Sequence, residues 1–167
     1  MTLISKNMGR HLMLGVCLGA IHASLAHAES TVAYAMSGDI FKATKAITAD
    51  ERELLAMARL LRGEERYLAE DILAQADAID QAGKSASTML WLVSEGHGDP
   101  TSTQLRIIGG ELAFLDQHID LSLQAVHEDQ RVVQTPALAA GAERLKTDAT
   151  ELLSRIRRAE KAFPKRD

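Results

Sequence analysis

Residues 135–163 read TPALAAGAERLKTDATELLSRIRRAEKAF, and the spacing within this stretch decides the fold class. Leu138, Ala142, Leu145, Ala149, Leu152, Ile156, Ala159 and Phe163 recur at alternating intervals of four and three, which places them along one side of a helix. Thr135 is suited to the N-cap and Pro136 to the first helical position, where the missing amide proton costs no hydrogen bond. Arg155, Arg157, Arg158 and Lys161 gather near the far end, where cations complement the helix dipole. A helix with a single apolar stripe draws most of its stability from packing that stripe, so the rest of the chain must supply matching ones.

Leu105, Ile108, Leu112, Leu115, Ile119, Ser122, Val126 and Val133 give such a stripe and predict a helix over 101–133. Either Asp99 or Thr101 with Gln104 can cap it. The stripe stays in register across Gly109-Gly110, which reads as a kink or a close helix approach. Thr48-Ala49-Asp50-Glu51 has the form of a capping box, and Leu54, Ala58, Leu61, Leu68, Ile72, Ile79 and Ala82 then hold one phase, predicting a helix over 49–82. Gly63 lies inside that phase, and Glu64 is a poor N-cap, so the helix is read straight through. The break is expected at Gly83-Lys84-Ser85, followed by a short, largely buried helix over 86–95 containing Met89 to Val93. Gly96-His97-Gly98-Asp99-Pro100 reads as a loop. No alternating strand pattern and no internal repeat occurs. The expected architecture is an all-α antiparallel bundle of three to four helices, occupying residues 48–167.

The first residues carry a different message. Lys6 and Arg10 precede the apolar run Leu12 to Ile21, and Ala26-His27-Ala28 follows, which predicts a secretory signal peptide over 1–28 cut after Ala28. The apolar run is roughly ten residues against the ~20 a membrane span requires, so no integral membrane segment is expected after cleavage. Val16 before Cys17 is a poor fit to a lipoprotein signal. The protein is therefore expected in the periplasm or secreted medium. Residues 29–47 read as a loosely ordered segment in which Ile40, Phe41, Ala43 and Ile47 predict a short helix.

Cleavage removes the sole cysteine, and with it any thiolate site or disulfide. Taking Lys6 and Arg10 from the 19 basic residues leaves 17 against 23 acidic ones, a formal charge of −6. That balance disfavours nucleic acid as a partner.

Bundles can hold metals through inward Glu and His, and the candidates here are His97, His118, His127 and Glu65. No Glu-x-x-His pair is present, and His118 and His127, nine residues apart, fall on opposite sides of a straight helix. Glu65, Gln75, Ser122 and Asp129 interrupt the apolar stripes and can mark a site, a register layer or drift toward solvent. Covalent haem is excluded by the lack of C-x-x-C-H, which leaves Met57 or Met89 with His118 as non-covalent ligands. Gly83-Lys84-Ser85 resembles the end of a phosphate loop, but Ala78 stands where its first glycine is required, and a helix precedes it. No G-x-S-x-G elbow occurs.

No cofactor is predicted and no reaction is assigned. The preferred reading is an exported bundle that acts by protein–protein interaction, through Trp91 and His97 if that segment protrudes. Trp91 filling the bundle end is the competing placement. The alternative function is a metal- or haem-binding bundle. A homo-oligomer is compatible with either.

Overall fold

The computed structural model describes residues 5–96 and 101–163, with side chains from Ser30 onward and that of Ser102 excepted. Four helices, α1 (Ser5–Ala58), α2 (Glu64–Glu95), α3 (Ser102–Gln130) and α4 (Pro136–Ala162), make up the fold, and no strand occurs among the described residues. Each link between them is short, so successive helices reverse direction and lie side by side. α1 packs on α2 and α4, and α3 packs on the same two; α2 and α4 meet only across the diagonal. The result is an up-down-up-down antiparallel four-helix bundle. No described helix is long and apolar enough to cross a membrane.

The stripes read from the sequence form the core. Leu138, Leu145, Leu152 and Ile156 of α4 are completely buried against Ile40, Ile47 and Leu54 of α1, Ile72, Ile79 and Leu90 of α2, and Leu112 and Ile119 of α3. Burying each Leu or Ile stabilises the fold by about 1.5–3 kcal/mol relative to leaving it in water. Thr101 caps α3 as expected: its side chain accepts from the Gln104 amide, while the Gln104 side chain accepts from the Thr101 amide.

The first half of the bundle differs from the sequence reading at two glycines. The helix breaks between Ala58 and Glu64 despite the continuous apolar phase, and Gly63, at the N-cap of α2, adopts φ +61° and ψ −139°, a conformation that side-chain-bearing residues rarely adopt. The predicted helix over 49–82 is accordingly two pieces, and the capping box at Thr48 lies inside α1. Thr48 Oγ1 instead donates its proton across to Asp80 Oδ1 at 2.7 Å, with the Thr44 carbonyl 3.2 Å away as the other acceptor within reach. Residues 30–47 continue the same helix as 48–58, so the expected loose segment is a structural part of the bundle.

Gly83 does not break a helix. It is buried in the middle of α2, where an added Cβ would collide with Thr44 Oγ1 and stand 3.0 Å from Leu152 Cδ2. The absence of a side chain there serves close helix approach. Lys84 remains helical and pairs with Asp80 one turn back. The expected short helix over 86–95 is the end of a 32-residue α2. Gly109-Gly110 lies within a continuous α3, and a Cβ at Gly110 would meet nothing within 4 Å, so no close packing explains that glycine.

Register between α1 and α2 is set by small polar side chains. Ser37 Oγ donates to the Ser87 carbonyl at 2.9 Å and Ser87 Oγ donates to the Ser37 carbonyl at 3.0 Å, a reciprocal buried pair. Seven residues away, Ser30 Oγ donates to the Ser94 carbonyl at 2.8 Å. Thr48 with Asp80 forms the third layer. An antiparallel slip by one turn would break these cross-helix bonds and cost about 1–3 kcal/mol for each of the buried Ser37 and Ser87 hydroxyls left without its partner, whereas Thr48 and Asp80 keep Thr44 and Lys84 on their own helices.

Candidate interaction face

The end of the bundle formed by the close of α2, the start of α3 and residues 30–41 of α1 carries an unusual share of exposed apolar side chains. Trp91 is 46% exposed and Leu92 59%. This corrects the expectation that the run around Met89–Val93 is largely buried and the placement of Trp91 in the bundle end. Only Leu90 of the run is fully enclosed; Met89 and Val93 pack against the core from its edge. The cause is geometric: in a continuous helix, five consecutive apolar residues sweep all sides, and the bundle covers one.

Trp91 and Leu92 form a ridge along α2 with a groove on either side. Between α2 and α3 lies a groove of about 620 Å³ walled by Met89, Leu92, Val93, Ile107 and Ile108, with Lys84, Ser85 and Gln104 at its rim. Between α2 and α1 lies one of about 700 Å³, lined by Tyr34, Gly38, Phe41, Lys42, Ser87 and Trp91. Thr88 borders both. Tyr34 and Phe41 are themselves exposed, with the Lys45 ammonium 4.7 Å above the Phe41 ring. Lys84 is held at the rim by its hydrogen bond to Asp80, which raises its pKa.

The other candidates occupy separate places. His118 is exposed on α3 and stacks on Phe114, with ring centroids 6.3 Å apart. His127 is exposed in the last turn of the same helix. His97 lies outside the described residues. Glu65 serves the fold: its two carboxylate oxygens accept from the Gln134 amide at 2.7 Å and the Thr135 amide at 3.2 Å, just where α4 begins. The hydrogen bond from Gln134 is the main cause of its lowered pKa. Thr135 occupies the N-cap of α4 as expected, but its own side chain makes no capping bond, so Glu65 takes part of that role. Of the other stripe-breaking residues, Ser122 is buried, while Gln75 and Asp129 are partly exposed.

Met57 lies by Gly141 of α4, Met89 lines the α2–α3 groove, and His118 points away from both, so the residues considered for haem do not converge. Among the described residues, no group of three or more His, Cys, Asp or Glu is placed to hold a metal ion.

The most perturbed carboxyl has no signature of its own in the sequence. Asp50 is 6% exposed on α1 and faces Asp148 of α4. Burial, then the charge of Asp148 and a hydrogen bond to it, push the Asp50 carboxyl up to about 6; Arg144, 3.8 Å from Oδ1, acts in the opposite direction. Asp50 Oδ2 is enclosed and accepts no hydrogen bond. Protonated, Asp50 donates to Asp148, so the pair is an acid–carboxylate contact tying α1 to α4. Glu53 and Arg144 form an ion pair beside it. This cluster has a sufficient structural explanation in joining two helices.

Comparison with protein-family models, curated proteins and solved structures finds no match to this chain.

Proposed function

We propose that the protein is an exported, non-catalytic bundle that works by docking another protein on the face built around Trp91. One observation carries this reading: Trp91 and Leu92 stand out of the bundle as a ridge between two grooves. Aromatic anchors bordered by apolar clefts are the features from which binding hot spots are built. Lys84, Gln104 and Lys42 supply a polar rim, as interfaces require at their edges. Export rests on the basic start, the short apolar run and the Ala26-His27-Ala28 cleavage pattern.

The test uses the full chain expressed in its own cells with a photoreactive residue at Thr88, which borders both grooves. A discrete adduct with one protein, lost when Leu92→Glu is added and absent when the reactive residue is moved to the remote, exposed Tyr67, is the expected result. The absence of an adduct from Thr88, or one insensitive to Leu92→Glu, refutes the docking reading. Sequencing the purified protein's N-terminus tests export: a start at Glu29 is expected, and a retained Met1 end in the cytoplasm refutes it.

A further inference from the structure

α3 carries two apolar stripes, and the bundle uses one. Leu105, Ile108, Leu112, Ile119 and Val126 are buried against α2 and α4. Ile107, Phe114 and Leu121 recur seven residues apart and are 56, 61 and 64% exposed. His118 stacks on Phe114 within the same row, and Ala125 continues it. At ~100° per residue these five fall within an arc of ~60°, centred ~140° from the buried stripe. Single exposed hydrophobics are ordinary, but a row of large ones at heptad spacing on a solvent face has the form of a helix-packing seam. α4, whose inner stripe is the most regular in the sequence, exposes no large apolar side chain.

We infer that this row is a homodimer interface, in which a second copy lays its α3 antiparallel against the first. The flanking charges choose this occupant and this direction. Arg106 lies beside one end of the row and Glu128 beside the other, on the same flank, and neither has an ion-pair partner within the chain among the described residues. A two-fold axis at the level of Asp116 pairs Ile107 with the partner's Ala125, large against small, and Phe114 with the partner's His118. The same axis brings Arg106 to within about two residues' rise, ~3 Å, of the level of the partner's Glu128, twice per dimer. Parallel pairing would instead put Arg106 level with the partner's Arg106. The seam is therefore complementary to its own reversed copy, as a two-fold interface must be. It meets the docking face of the Trp91 ridge at Ile107, which also walls the α2–α3 groove, whereas Phe114 and Leu121 line neither groove, so substitutions at these two positions test the seam alone.

Sedimentation equilibrium of the intact purified chain tests this. A dimer mass is expected, falling to a monomer mass with unchanged helical circular dichroism in Phe114→Glu/Leu121→Glu. Arg106→Glu should raise the dimer's Kd about tenfold or more, and adding Glu128→Arg should restore it; this rescue is specific to antiparallel self-pairing. A monomer at high micromolar concentration, a dimer indifferent to Phe114→Glu/Leu121→Glu, or charge reversals without mutual rescue would overturn the inference.

Discussion

Replacing Asp50 with Asn should stabilise the protein at neutral pH and flatten its pH dependence. Asp50 is enclosed between α1 and α4, and burial with Asp148 opposite raises its carboxyl from 3.8 to about 6, with Glu53 adding to the rise and Arg144 opposing it. Because the folded-state value is raised, the folded chain holds a proton between these two values where the unfolded chain has already released it. Stability therefore falls as pH rises through that window, and above it the cost of an ionised Asp50 persists. A displacement of about two pH units corresponds to about 3 kcal/mol, at ~1.4 kcal/mol per unit. Arg144 is half-exposed and Asp148 borders an open cleft, so solvent screening reduces the usable figure to about 1–2 kcal/mol. Asn matches Asp in size and its amide donates to Asp148 with no charge to desolvate. Urea unfolding from about pH 4 to pH 8 is the assay: the Asp50→Asn and native curves should converge near the acid end and separate by about 1–2 kcal/mol at the alkaline end, the variant above. Equal slopes, or a less stable variant at pH 8, would refute the acid–carboxylate contact.

Two glycine substitutions of opposite sign are expected in the same helical context: Gly83→Ala loses about 1–3 kcal/mol through its clash with Thr44 and Leu152, whereas Gly110→Ala gains up to about 1 kcal/mol from helix propensity in open space, both read from urea midpoints. Gly63→Ala should cost about 1–3 kcal/mol because alanine must adopt φ +61° with ψ −139°, and an unchanged midpoint would place the α1–α2 break elsewhere. Glu65→Gln should lower the melting temperature at pH 7, with the difference closing as pH drops below the ordinary glutamate value of 4.5, since the stabilisation belongs to the ionised form that accepts from Gln134 and Thr135. Trp91 is the sole tryptophan, so native fluorescence should be red-shifted and readily quenched by iodide; a blue-shifted, protected emission is incompatible with the exposed ridge.

What the sequence discloses is governed by how many structures one residue type can serve. Buried Leu and Ile at four-three spacing have one use, and the stripes of α3 and α4 appear in the core as read. Glycine has several uses. Gly63 and Gly83 look alike on an apolar phase, yet one supplies a positive-φ residue at the N-cap of α2 and the other removes a Cβ where α2 meets α1 and α4. The distinction depends on Thr44 and Leu152, which lie 39 and 69 residues away in the chain. Thr48 shows the same ambiguity: its hydroxyl suits a helix start, but in the fold it donates to Asp80 from inside α1. Asp50 is visible in the sequence only as part of that supposed cap, because its raised pKa arises from Asp148 on another helix.

The surface is less legible than the core for a related reason. Looking for one apolar face per helix stops at the stripe that closes the bundle, and α3 satisfies that search with Leu105, Ile108, Leu112 and Ile119 before Ile107, Phe114 and Leu121 are considered. The second row has its own heptad spacing, so the signal is present in the sequence. What the sequence lacks is the knowledge that α2 and α4 are the only helices packed on α3, which leaves the opposite side bare among the described residues. Trp91 follows the same logic. Its burial cannot be read from an apolar run that sweeps the whole circumference of α2; once the run is continuous helix, the bundle can enclose Leu90 only by leaving Trp91 and Leu92 outside.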